Sequence, residues 1–165
     1  MSTINVQWTI FNPGLELSTN FQQVGGYLGT GDQANYLKFV AIQHPEGEFE
    51  IVLEDADEIE SASYLQANNL FNAPDGSRIF LNMSIDIATG IATPTATYET
   101  ANGTTTVTGA SVSLGGTAVL DAIRGDHTVN GQTTGLAVGL FSSNTGASPD
   151  DTFTAIFDDI SISAE

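Results

Sequence analysis

Ile79-Phe80-Leu81-Asn82-Met83-Ser84-Ile85-Asp86-Ile87 places Ile79, Leu81, Met83, Ile85 and Ile87 on one side, with Asn82, Ser84 and Asp86 on the other. Successive side chains of an extended chain point to opposite faces, so a period of two predicts a strand with one buried face. The same alternation recurs at Ile4, Val6, Trp8 and Ile10, which interleave with Asn5, Gln7 and Thr9. It returns at Phe49, Ile51 and Leu53, opposed by Glu48 and Glu50, and at Leu136, Val138 and Leu140 within residues 132–142. The last run carries Phe153, Ala155 and Phe157, then Ile160 and Ile162. Its parity switches at Asp158-Asp159, which predicts a bulge or a change of sheet there.

Turn-forming residues separate these runs: Asn12-Pro13-Gly14, Pro45-Glu46-Gly47, Pro74-Asp75-Gly76, Ala88-Thr89-Gly90, Asn102-Gly103 and Asn130-Gly131. The Thr-rich stretch from Thr93 to Thr108 reads as surface strand and turn. Thr117 to Arg124 reads as the one short helix, between Gly115-Gly116 and Gly125. Many short strands joined by regular turns predict an all-β sandwich or barrel, a single module over residues 1–165. Trp8 shares parity with Ile4, Val6 and Ile10 and is expected in the core.

Twenty acidic side chains face three basic ones, Lys38, Arg78 and Arg124, for a formal net charge of −17. Most carboxylates therefore lack a cationic side chain to pair with, and their repulsion opposes compaction. Nucleic acid and anionic membrane surfaces are excluded as partners, since both repel a chain of this sign. Cysteine is absent, so disulfides and thiol chemistry are excluded too. No apolar run approaches the roughly 20 residues that span a bilayer. The opening residues from Met1 to Val6 do not resemble a signal peptide, as a domain cut from a longer precursor would not. Low lysine with abundant Thr, Ser, Gly, Asn and Asp suits an extracellular or cell-surface bacterial module. Asn82-Met83-Ser84 and Asn102-Gly103-Thr104 fit the glycosylation pattern, and in such a setting both read as accidents.

Residues 21–40, and within them Gly29-Thr30-Gly31-Asp32-Gln33-Ala34-Asn35-Tyr36, resemble concanavalin A-like lectin/glucanase jelly-roll modules of the LamG-like kind found in secreted bacterial surface proteins. The hairpin from Asp86 to Pro94 and the closing strand from Phe153 to Ile160 are similar to the same group. The resemblance implies two curved antiparallel sheets packed face to face. Modules of this kind often carry strands before the position matching Asn5, so either this version needs none or an unpaired edge is exposed. The fold hosts glycan-binding modules, adhesin domains and glycoside hydrolases, and does not choose among them.

Catalysis on this fold would call for carboxylates sharing a strand face across the scissile bond. The nearest run is Glu54-Asp55-Ala56-Asp57-Glu58-Ile59-Glu60, which lacks Asp two places after Glu54 and reads as a turn whose carboxylates diverge. His44 and His127 lie in turns, and no serine lies in a Gly-x-Ser-x-Gly elbow. These features lead to the expectation of a module that is not an enzyme. Calcium takes six to eight hard oxygens, which acidic loops supply. The resemblance implies a structural Ca²⁺ near the closing strand, with Asp158 and Asp159 as candidates. Asp32 in its Gly-rich turn is a third, and Asp55-x-Asp57 and Asp150-Asp151 are further acidic pairs.

Sugar recognition would use an aromatic platform with polar neighbours. Tyr36, starting a strand after a polar loop, is the best aromatic, and Asp32, Gln33 and Asn35 could bond sugar hydroxyls. The expectation is a Ca²⁺-stabilised carbohydrate-binding or adhesion module, partnered by a glycan and by neighbouring domains of a longer protein. A structural spacer and a divergent glycoside hydrolase are the alternatives.

Overall fold

The computed structural model describes residues 2–11, 17, 21–44, 47–68, 70–71, 73–74, 76–144 and 152–165. The expected turns at Asn12-Pro13-Gly14 and Pro45-Glu46, the turn residue Asp75 and the Asp150-Asp151 pair lie outside the described residues. The strands are β1 (Thr3–Phe11), β2 (Gln22–Gly29), β3 (Tyr36–Ile42), β4 (Glu48–Asp55), β5 (Glu58–Gln66), β6 (Arg78–Asp86) and β7 (Ile91–Thr100). Then follow β8 (Gly103–Thr108), β9 (Val112–Ser113), helix α1 (Ala118–Arg124), β10 (Thr128–Val129), β11 (Gln132–Thr133), β12 (Ala137–Asn144) and β13 (Ile156–Ala164).

Two antiparallel sheets form a jelly-roll-like sandwich. One runs β13-β1-β6-β7-β8 with β9 paired to β7, and the other runs β12-β2-β3-β4-β5. The decisive run is β6, whose Ile79, Leu81, Met83 and Ile85 are all fully buried. Its neighbour β1 adds Val6, Trp8 and Ile10, and the facing sheet adds Leu37, Phe39, Phe49, Ile51 and Leu53. Burying a large apolar side chain contributes about 1.5–3 kcal/mol, so the interior holds the sheets together. Trp8 lies in this core as its parity predicts. Its indole N–H donates to Gly139 O of the other sheet at 2.9 Å. Gly26 is required beneath it, because a Cβ at that position would overlap the Trp8 ring.

The parity switch in the closing strand is a bulge. Thr9 pairs with Asp159 and Ile10 with Phe157, which leaves Asp158 as the extra residue. The strand itself starts only at Ile156, because its partner β1 ends at Phe11 opposite that residue. Phe153 and Ala155 precede it as irregular chain packed on the core. The 132–142 run likewise divides, into β11 paired with β10 and β12 paired with β2. Leu140 keeps the core parity, opposite Gly26, but is half-exposed because β12 is an edge strand. Helix α1 is capped by the Thr117 hydroxyl, which accepts from Leu120 N, and stopped by left-handed Gly125.

Outside the core the Thr-rich hairpin pairs hydroxyls across strands, Thr97 with Thr106 at 3.0 Å and Thr95 with Thr108 at 3.4 Å. All three basic side chains are engaged. Arg124 donates to the Ile87 and Ala88 carbonyls. Arg78 Nε donates to Asp158 Oδ2 at 2.7 Å and its guanidinium lies over the Phe11 ring. Lys38 belongs to the surface described next. Among the described residues no helix is long and apolar enough to cross a membrane.

Candidate functional site

Strand β3 turns Leu37, Phe39 and Ala41 into the core, so Tyr36, Lys38 and Val40 point to the opposite face of their sheet. That face is recessed, since Lys38 and Glu50 are each only 7% exposed although they look away from the core. Lys38 Nζ lies 2.7 Å from Glu50 Oε2 and donates to Gln23 Oε1 at 2.6 Å. It also lies 5.2 Å from the Phe141 ring centroid. A buried charge is tolerated only when paired and hydrogen-bonded, and this one is both.

Aromatic rings line the recess. Tyr27 and Tyr36 are 5.9 Å apart between ring centroids, and Tyr36 and Phe141 are 6.2 Å apart. Further along the sheet, His44 stacks between Phe21 and Tyr64 at 5.1 and 5.3 Å. The Tyr36 hydroxyl donates to Glu54 Oε2 at 2.7 Å. Burial, followed by the Glu54 hydrogen bond and charge, pushes the Tyr36 phenol well above its ordinary range. Tyr64 moves the same way, through burial and then the Glu50 carboxylate. A cavity of about 500 Å³ opens here, lined by Gln33, Tyr36, Glu54, Asp57, Phe141, Ser142 and Ser143.

Two of the four expected sugar contacts, Gln33 and Tyr36, line this cavity, and the other two build its wall. Asp32 caps its own loop, its Oδ1 accepting from Ala34 N and Asn35 N at 2.9 Å and its Oδ2 from the Thr30 hydroxyl at 2.8 Å. Partial burial opposes its ionisation, but these donors outweigh that and hold the carboxyl below its ordinary value. Asn35 reaches the β4–β5 hairpin, its Oδ1 accepting from Ala56 N at 2.9 Å. Asp57 N donates to Ala34 O at 3.0 Å. Ala56 and Asp57 both have left-handed backbone, with φ of 52° and 65°, as a two-residue hairpin turn needs. This docking sets Glu54 and Asp57 opposite Gln33 and Tyr36. Asp55 turns away, and its Oδ1 accepts from Ala118 N of α1 at 2.8 Å. The acidic run thus diverges only in part, with Glu54 and Asp57 sharing one cavity.

The sequence reading missed Tyr27, Lys38, Glu50, Tyr64 and Phe141. Lys38 carried a usable signal, as a lone lysine at the outward parity of an apolar strand. Tyr27 holds the loop, donating to Asp32 O at 2.7 Å and accepting from Gly31 N at 2.9 Å.

The calcium candidates, expected as separate acidic clusters, lie on different sheets. Asp32 belongs to the β2–β3 loop of one sheet, and Asp158 and Asp159 to β13 of the other. Asp158 is already met by Arg78, and Asp32 by its loop donors. Among the described residues no group of three or more His, Asp or Glu is placed to hold a metal ion.

No family model matches the chain, and no curated protein does. Among solved structures it is similar to the GH43 protein BlXynB from Bacillus licheniformis, at 18% identity and a TM-score of 0.69. That match covers 100% of this chain and 28% of the other. The Bacteroides ovatus xyloglucan PUL GH43B gives 14% identity and a TM-score of 0.63 over 99% of this chain and 27% of that one. The enzymatically active domain of bacteriophage CBA120 tailspike protein 2 gives 14% and 0.53, over 97% and 22%. The chain thus spans between about a fifth and just over a quarter of each of these structures. At such identities the likeness shows the β-sandwich fold alone. The lectin resemblance gains no family-level support. The expectation that the chain is not an enzyme is contradicted by its fold neighbours, which include GH43 proteins, each spanned by this chain over just above a quarter of its length.

Proposed function

We propose that the recessed face over β3 and β4 binds a carbohydrate chain, within a larger extracellular protein that processes glycans. One observation carries this reading: Tyr36 and Phe141 form an aromatic wall to a cavity whose other lining residues, Gln33, Glu54, Asp57, Ser142 and Ser143, are all polar. Sugar rings present apolar faces to aromatic side chains and hydroxyls to polar ones, so this mixture suits them. The GH43 neighbours support the same class of ligand. Isothermal titration with xylo-, cello- and xyloglucan oligosaccharides tests it. Tyr36→Ala and Phe141→Ala should each weaken binding by about tenfold, equivalent to ~1.4 kcal/mol. Unaltered affinity in both variants would move the ligand elsewhere.

Hydrolysis at the same face is a second reading, favoured by the presence of Glu54 and Asp57 in one cavity. Paired carboxylates stand about 5–5.5 Å apart in retaining glycosidases and about 6.5–9.5 Å apart in inverting ones. Release of reducing ends by the parent chain, abolished in both Glu54→Gln and Asp57→Asn, would establish it. A parent chain that releases none would remove it.

A further inference from the structure

We infer that the glycan held on this face bears amino groups, as glucosamine oligomers do, and that uronate-bearing chains are rejected. This inference rests on the carbohydrate reading above and adds the charge class of the ligand. The ionisable carboxylates at the cavity are Glu54 and Asp57. The ion pairs among the described residues engage Glu48, Glu50 and Asp158, and neither of these two. The cation nearest the cavity is Lys38, which is buried, bound to Glu50 and Gln23, and lies against the Phe141 ring. Its positive charge is therefore matched before any ligand arrives. Arg78 is fixed to Asp158 in the other sheet, and Arg124, the last residue of α1, is fixed to the Ile87 and Ala88 carbonyls.

A sugar carboxylate entering this cavity would meet two like charges and no free cation, an arrangement that disfavours it. A protonated sugar amine would gain charge-assisted hydrogen bonds, which are about twice as strong as neutral ones. The rings of Tyr36 and Phe141 add a favourable surface for a cation. The net charge of −17 extends the same preference over longer distances. The Tyr36 and Tyr64 phenols are displaced upward first by burial, and the Glu54 and Glu50 carboxylates add to it in the same direction.

The test is titration calorimetry of the whole chain at low salt and about pH 6, where amines are protonated. Four hexasaccharides serve as probes: glucosamine, N-acetylglucosamine, glucose linked as in cellulose, and galacturonate. The glucosamine hexamer should bind about tenfold more tightly than its N-acetyl counterpart, and galacturonate should not bind. The preference should shrink as salt is raised. Glu54→Gln with Asp57→Asn keeps shape and the left-handed turn, since Asn tolerates that backbone. In that variant the glucosamine preference should fall to about twofold or less. Equal or tighter binding of a neutral hexamer by the parent, or binding of galacturonate, overturns the charge inference and leaves the carbohydrate reading standing. A glucosamine preference that survives in the double variant overturns the assignment to Glu54 and Asp57. Failure of all four probes overturns both.

Discussion

The Tyr36 hydroxyl and the Glu54 carboxylate meet at 2.7 Å where the β3–β4 register pairs these two residues directly. The bond joins the end of one strand to the end of the next and orders the rim of the cavity. Tyr36→Phe keeps the ring and removes the bond. It should lower stability by about 1 kcal/mol, the usual net value for one hydrogen bond. Urea denaturation reads this directly, and an unchanged midpoint with an unchanged slope would mean that water takes over the role of the phenol.

The Lys38–Glu50 pair should be much more costly to break. Lys38→Met leaves Glu50 buried without its counter-charge, which typically destabilises by about 3–5 kcal/mol. Replacing both, with Lys38→Met and Glu50→Leu, should recover most of that loss, because a buried pair is often matched by apolar side chains. A double variant as unstable as the single one would show that Gln23 and Tyr64, not the charge balance, set the cost.

Acid should release the loop that carries Gln33. The Asp32 carboxyl is held below its ordinary value in the folded chain, so the stability it contributes is present above the unfolded value of 3.8 and is lost as pH falls through the lower folded one. The thermal midpoint of the parent should therefore exceed that of Asp32→Asn at about pH 6 and converge on it towards about pH 2.5. A gap that stays constant over this range would remove the carboxylate from the account.

Arg78 and a calcium ion would compete for Asp158, because the guanidinium already occupies Oδ2. Millimolar Ca²⁺ should thus raise the thermal midpoint of Arg78→Gln more than that of the parent. The same response in both chains would show that any calcium binds away from this carboxylate.

Much of the sandwich was legible from local pattern. Ile79 to Ile85 alternate cleanly because one face meets the core and the other meets solvent, and Trp8 followed from the same rule. The bulge at Asp158 showed as a broken period, because an extra residue must shift every later side chain to the other face. The recessed face was far less legible. Phe141, Tyr27, Lys38 and Glu50 come from four strands, with Phe141 114 residues after Tyr27, and only sheet order brings them together. Asp32 and Asn35 looked like ligand contacts because loops favour polar side chains, whereas their hydrogen bonds are given to building the loop and its neighbouring hairpin. The acidic run after β4 read as diverging, which is true of Asp55 but not of Glu54 and Asp57. Its turn docks on Asn35, a contact that no local pattern reveals.

Trp8, the single tryptophan, is sealed between the sheets with its ring over Gly26, on the opposite side of the sheet from Tyr36. Its fluorescence should therefore follow the parting of the two layers and stay nearly silent while a sugar enters the recess. The two events have separate optical reporters in the unmodified chain, with tyrosine emission left to register occupancy.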